Sequence, residues 1–225
     1  MSDLQCPSRI LVARHGEATY EDGDVITDAG GQLSETGVGQ ARALAERLSG
    51  ERVAAVYASR LDRAQQTAAI VGDRLGLPVT VVAGVEELRV GSLEGVAWTA
   101  PEAQTAVTTV SAWAGGDLNR RWPGAESGVE VVGRFVAALA ELADRHRGET
   151  VVVVSHSGVM TLGITHTAVN VAPQIRTKLD LPHTAVATVE IDADGWRLVG
   201  PWPGRAWSPE PDRSEQTGPD VVDAP

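Results

Sequence analysis

Ile10-Leu11-Val12-Ala13-Arg14-His15-Gly16-Glu17 is the stretch from which the rest of this chain is read. A short apolar run followed by a turn glycine reads as a buried strand that ends at His15. In an open α/β sheet, ligands bind outside the carboxyl ends of the strands. This segment therefore delivers an arginine and a histidine together to the place where a ligand is bound, which implies a phosphate-binding site carrying its own nucleophile. A strand-end histidine capped by a turn is the plain alternative, and the remainder of the chain decides between the two.

Two further runs repeat the pattern. Val53-Ala54-Ala55-Val56-Tyr57 leads into Ser59-Arg60-Leu61-Asp62-Arg63-Ala64-Gln65-Gln66-Thr67-Ala68, which reads as a helix opening with Ser59 as its N-cap. Arg63 then lies one turn inside that helix, near the same sheet edge. Val151-Val152-Val153-Val154-Ser155-His156-Ser157-Gly158 is an almost wholly apolar strand ending in histidine and glycine. Such a run is expected of a central strand in a parallel sheet covered on both faces. Two strands thus end in histidine, and Arg14 and Arg63 occupy comparable positions.

Strands are predicted at 9–13, 53–58, 79–83, 150–154, 183–191 and 196–199, and helices at 35–49, 60–75, 99–113, 128–147 and 158–168. Thr99-Ala100-Pro101-Glu102 and Ser127-Gly128-Val129-Glu130 both have the spacing of a helix capping box. Strands alternating with long helices predict an α/β fold, a three-layer αβα architecture with a largely parallel central sheet. Residues 84–125 then form a two-part lid over the strand carboxyl ends.

Composition is consistent with one domain over residues 1–205. At 225 residues and 43% hydrophobic content, a sizeable core can be buried. Residues 206–225 are rich in proline and acids and are expected to be a disordered tail. No secretory leader or membrane-spanning run is read, and the single Cys6 excludes an internal disulfide, so a cytoplasmic setting is expected. The net charge of −11 argues against nucleic acid and anionic membranes as partners. An acidic chain that takes an anionic substrate must also build a local positive pocket.

With Arg14-His15-Gly16, Leu33-Ser34-Glu35-Thr36-Gly37 with Gln40-Ala41, Ser59 through Ala68, Glu87 with Gly91-Ser92-Leu93-Glu94-Gly95, Gly124-Ala125-Glu126-Ser127 and Ser155-His156-Ser157-Gly158 in this order, the chain resembles the histidine phosphatase superfamily. That group includes cofactor-dependent phosphoglycerate mutases and many small phosphomonoesterases. The resemblance covers about residues 9–160. It implies that His15 is a nucleophile forming a covalent phosphohistidine, which splits one difficult displacement into two easier ones. Arg14 and Arg63 suit the transferring phosphoryl group, because a guanidinium stays charged and grips two oxygens in a planar fork. His156 is expected to donate a further hydrogen bond as imidazolium. The family's acid stands four residues before its Gly-x-Leu-x-Gly turn, so the resemblance assigns Glu87 as general acid and then as base for water. Its neighbour Glu86 is read as a solvated loop charge.

Other residues are weighed individually. Glu17 either hydrogen-bonds near the nucleophile or anchors the loop, and Glu126 is similarly balanced. His183 opens the late strand and either lines the pocket or packs. His146 reads as a helix-end cation, and His166 as a packed or exposed helical residue. Arg120, Arg121 and Trp122 are candidate substrate contacts, with a solvated basic loop and a packing tryptophan as the alternative.

Rival chemistries lack their residues. Cys6 has no arginine six positions on, and Asp22-Gly23-Asp24-Val25 follows a polar stretch rather than an apolar strand, so it is read as loop. No nucleophile elbow, Walker loop or zinc-ligand spacing occurs; no metal and no cofactor are expected. Between Gly91 and Asn119 there is no lysine or arginine, unlike the longer, more basic lid of the family's mutases. Hydrolysis of a small phosphorylated metabolite is therefore the favoured activity, with a phosphomutase and a non-catalytic phosphate sensor as alternatives. A homodimer is left open.

Overall fold

The computed structural model describes residues 6–20, 23, 25–28, 30–178 and 180–204. In chain order its elements are β1 (Ser8–Arg14), the short pair β2 (Ala18–Thr19) and β3 (Gln32–Leu33), α1 (Glu35–Leu48), β4 (Val53–Ala58), α2 (Asp62–Leu75), β5 (Val79–Val81), α3 (Gln104–Ala114), α4 (Gly128–Arg145), β6 (Thr150–Ser155), α5 (Ser157–Thr167), β7 (Val186–Asp192) and β8 (Gly195–Val199). The main sheet runs β5-β4-β6-β1-β7-β8. β5, β4, β6 and β1 are parallel, and β7 and β8 add an antiparallel edge.

The valine run is where the layers meet. Successive strand residues face opposite sides of the sheet, and all four valines of β6 are fully buried. Val152 and Val154 pack with Leu11, Ala13, Leu44 and Val71 beneath α1 and α2. Val151 and Val153 pack with Ile10, Val12, Phe135, Leu139 and Met160 beneath α4 and α5. A strand with no exposed face needs this uninterrupted apolar sequence. Register completes the placement: Arg14 at the end of β1 pairs with Ser155 at the end of β6, so His15 and His156 leave the sheet side by side.

The alternating architecture agrees with the sequence reading, and the differences are local. Ser59 does not cap the second helix: α2 begins at Asp62, its N-cap is Leu61 without a side-chain bond, and the Ser59 hydroxyl is taken by His156. The capping box at Thr99 does not form. Pro101–Ala103 is a 3-10 turn, α3 starts only at Gln104, and neither start has a side-chain cap. The box at Ser127 does form, with Ser127 accepting from the Glu130 N–H and Glu130 accepting from the Ser127 N–H. The strand predicted from 183 begins at Val186, because His183 and Thr184 make a turn in which Thr184 has a φ of +56°. The polar stretch at Ala18-Thr19 pairs with Gln32-Leu33 as a small antiparallel ribbon. The tail at 206–225 lies outside the described residues, as do Asp22 and Asp24 of the segment read as loop. Among the described residues no helix is long and apolar enough to cross a membrane.

Candidate active site

The segment after β1 is clamped by its neighbours. The Gly16 N–H donates to Thr67 Oγ1 at 3.0 Å, and that hydroxyl donates to the Arg63 carbonyl at 2.7 Å. The turn carrying His15 is thereby tied to the first turns of α2. Gly37, at the start of α1, lies against the same turn: a Cβ there would stand 2.0 Å from the Glu17 carbonyl oxygen. Glu17 belongs to this anchoring, since it accepts from Ser34 Oγ at 2.6 Å while its N–H donates to Gln40. It does not line the cavity.

His15 is oriented by an unambiguous partner. Its Nδ1 lies 2.6 Å from the Gly16 carbonyl oxygen. A carbonyl only accepts, so Nδ1 carries the proton and Nε2 presents its lone pair. Arg63 Nε donates to that Nε2 at 3.3 Å, while Arg63 Nη1 donates to the Gly30 carbonyl. Burial, followed by the charges of Arg14 and Arg63, holds His15 well below the usual histidine range, so the ring is neutral near pH 7. A neutral, oriented imidazole is the nucleophilic form.

His156 stands with its ring centre 5.0 Å from that of His15. Burial first, then His15 and the guanidinium groups of Arg63 and Arg14, pushes it far below the ordinary value. The expected imidazolium is therefore replaced by a neutral ring. The Ser59 hydroxyl accepts from the Leu61 N–H and lies 2.8 Å from His156 Nε2. When its proton goes to Nε2, the histidine proton sits on Nδ1, which has no partner in the buried cluster. A neutral donor results, with no buried charge. Arg14 Nε is likewise buried without a partner, and its Nη1 donates to the Leu181 carbonyl.

Glu87 faces this cluster from the opposite wall. Its carboxyl group accepts from the N–H groups of Leu88, Gly158 and Val159 at 3.0–3.1 Å, the last two at the N-terminus of α5. Its backbone is fixed by Arg134 of α4, which donates to the carbonyls of Gly84, Glu86 and Glu87 and forks onto Glu126. Glu86 is not the solvated charge expected: its side chain is largely buried, accepts from the Gly84 N–H, and lies beside Arg60 and Arg134. Glu126 is structural for the same reason.

Arg14, His15, Arg63, Glu87, Gly158 and His183 line one end of a cavity of about 480 Å³, whereas His156, fully buried against His15, is not part of the lining. His183 is 5.9 Å from His15, ring centre to ring centre, and burial together with Arg14 holds it down at about 3. It is a neutral neighbour of the cluster. Arg120 and Arg121 are absent from the lining. They are half-exposed and paired with Asp117 and Glu130, whereas Trp122 between them and the cavity is buried and lines it. His146 bonds Tyr57 and Glu149 at the far end of α4, and His166 bridges the carbonyls of Leu162 and Trp113. Neither lines the cavity.

Arg134, Thr67 and Ser59 were missing from the sequence assignments of the site. Thr67 stands four residues after Arg63, which places both on one face of α2, so its signal was present. Arg134 has no local signal, because what it recognises is a set of backbone carbonyls 47 to 50 residues away.

Residues 10–201 match the family described as the histidine phosphatase superfamily (branch 1). The chain is 36% identical over 157 residues to the metal-independent phosphoserine phosphatase of Arabidopsis thaliana, a match covering 68% of this chain and 66% of that protein. It is 33% identical to the phosphoglycerate mutase-like protein 4 of the same plant, over 68% of each chain. Among solved structures, it superposes on a mycobacterial glucosyl-3-phosphoglycerate phosphatase with a TM-score of 0.69 and 26% identity, over 87% of this chain and 98% of the other.

Proposed function

This chain belongs to the histidine phosphatase superfamily, and from that premise we propose that it is a metal-independent phosphomonoesterase acting through a phosphohistidine on His15. The observation that carries the reading is the proton on His15 Nδ1, fixed by the Gly16 carbonyl, which leaves Nε2 as a neutral nucleophile beside the buried Arg63.

In the first step Nε2 attacks phosphorus as the ester P–O bond breaks. Glu87 enters this step as the carboxylic acid and gives its proton to the departing alkoxide, and the positive charge developing on the imidazole is met by the Nδ1–H bond to Gly16. Arg14, Arg63 and the free Nδ1–H of His156 hold the equatorial oxygens, whose charge rises in the transition state. In the second step Glu87, now a carboxylate, removes a proton from water. The water oxygen attacks phosphorus, the P–N bond breaks, and inorganic phosphate leaves with His15 restored.

Hydrolysis is favoured over phosphate transfer between substrates by the charges of the cavity. A mutase must retain a doubly phosphorylated intermediate. Here Arg14 and Arg63 are the only lysine or arginine residues among the described lining, and both are used on a single phosphoryl group. Arg120 and Arg121, which would have extended the positive region, are turned away.

The test is phosphate release from para-nitrophenyl phosphate and a panel of phosphate metabolites in EDTA, comparing the native chain with His15→Ala. The expected result is EDTA-resistant release, lowered at least about 10⁴-fold in the variant. Activity surviving in His15→Ala contradicts the mechanism. Exchange of phosphate between substrates that depends on a bisphosphate primer would favour the mutase.

A further inference from the structure

The cavity has two ends of opposite character. Beyond the phosphate cluster its lining is mostly apolar, with Val25, Ile26, Leu88, Val90, Val107, Val110, the buried Trp122 and the half-exposed Trp98, together with Thr27, Ser111 and Thr161. Trp122 has already given its indole N–H to the Val90 carbonyl at 2.6 Å and packs on Trp113, so it offers the cavity only apolar surface. Among the described lining residues the only lysine or arginine side chains are Arg14 and Arg63 of the phosphate cluster, and the Asp180 carboxylate lies near Arg14.

We infer that the preferred substrates are phosphomonoesters of uncharged, apolar alcohols, aryl-alkyl or branched alkyl. Phosphorylated hydroxy acids or amino acids, of the kind that give its relatives their names, are disfavoured. The inference rests on the phosphoryl group lying at Arg14, His15 and Arg63 as proposed above. A second anionic group would enter an apolar compartment with no cation to meet it, and burying an unpaired charge is strongly unfavourable. An apolar group of the same size loses water-exposed surface against valine and tryptophan, which is favourable.

The experiment compares esters whose leaving alcohols have similar acidity, so that chemistry does not mask recognition. We expect kcat/KM for 2-phenylethyl phosphate to exceed that for O-phosphoserine and 3-phosphoglycerate by about 100-fold. Val110→Arg, a half-buried lining position on α3, should narrow the ratio at least about tenfold by supplying the missing cation. Binding of non-hydrolysable phosphonates, read from tryptophan fluorescence, separates this inference from the assignment of hydrolysis. Selective binding of 3-phenylpropylphosphonate over 2-amino-4-phosphonobutanoate supports the apolar compartment even if no ester is turned over, in which case only the hydrolase reading fails. Turnover of phosphoserine or 3-phosphoglycerate as fast as the phenylethyl ester, or equal binding of the two phosphonates, overturns it.

Discussion

The phosphate end of the cavity and its lid end are built in different ways. At the phosphate end His15, His156 and Arg63 hang from the sheet or from a helix packed on it, whereas Glu87 comes from the irregular chain after β5 and His183 from the turn before β7. His15 and His156 follow paired strands, Arg63 sits in the first turn of α2, and Thr67 ties that turn to Gly16. Polar bonds fix tautomer and direction. At the lid end most of the walls come from 3-10 turns, α3 and irregular chain between residues 84 and 125, joined by Val25 and Ile26, and they are mostly apolar. Gly91, at a φ of +50°, passes so close to Gly124 that a Cβ would stand 2.4 Å from its carbonyl carbon, which is how the two parts of the lid meet. The difference teaches that most of the reaction and the selection are separately encoded. On the proposed mechanism His15, Arg63 and His156 act from rigid elements, while the segment at 84–125 supplies Glu87 and the apolar walls that would select the ester.

The largest effect expected from breaking the phosphate end, after loss of His15 itself, comes from Arg63→Lys. It keeps a charge but loses both the planar fork and the Nε bond to His15, so kcat should fall about 10²–10³-fold with a smaller change in KM. Steady-state kinetics on an aryl phosphate measure the split. A fall confined to KM would assign Arg63 to ground-state binding alone.

Glu87→Gln sharpens the comparison by leaving group. Alkyl phosphates need a proton on the departing oxygen and should slow about 10²-fold, whereas para-nitrophenyl phosphate, whose leaving group departs as a stable anion, should slow much less. Arg134→Gln should follow the same pattern with a smaller amplitude, because Arg134 acts by holding the carbonyls of Gly84, Glu86 and Glu87 and touches no reacting atom. Equal slowing of both ester types would remove the proton-donor role from Glu87.

What the sequence disclosed follows the same division. The strands ending at Arg14 and Ser155 were legible because burial on two faces demands continuous apolar residues, and nothing else in the chain resembles Val151–Val154. His15, Arg63, His156 and Glu87 were named from residue order and the family resemblance; the structure sets His15, Arg63 and Glu87 on one cavity and His156 beside His15. The lid was legible only as an absence of cations. Arg120 and Arg121 carried the right charge in the right segment, yet they pair with Asp117 and Glu130; Asp117, three residues before Arg120, was a local signal, whereas the Arg121 pair depends on where the start of α4 packs. The charge state of His156 was misread for a related reason. Sequence shows a histidine among arginines, but only the fold shows that it is buried with them.

Acid should loosen the phosphate end specifically. The folded-state pKa values of His15, His156 and His183 are depressed relative to about 6.5 in the unfolded chain. Below that value the unfolded state takes up protons that the folded state refuses. Stability from these groups is thus complete above about pH 6.5 and is lost progressively as the pH falls. Scanning calorimetry should show Tm dropping between about pH 7 and pH 5, with a shallower drop in His183→Asn. A pH-independent difference between the two proteins would break the link.

The smallest effects are expected at the lid's exterior. Arg120→Ala and Arg121→Ala remove exposed ion pairs worth little and should change kcat/KM by less than about twofold. A loss of tenfold or more in either variant would show that a lid arginine reaches the substrate after all.

The most direct measurement of the central claim is to trap the intermediate. The enzyme is mixed with ³²P-labelled phenyl phosphate, quenched in alkali, digested, and the labelled peptide sequenced. The account predicts an alkali-stable, acid-labile phosphoryl group on His15, formed at a rate no slower than turnover and absent from His15→Ala. Label on another residue, or turnover with no covalent phosphoryl-enzyme under conditions where its formation is faster than its hydrolysis, would contradict it.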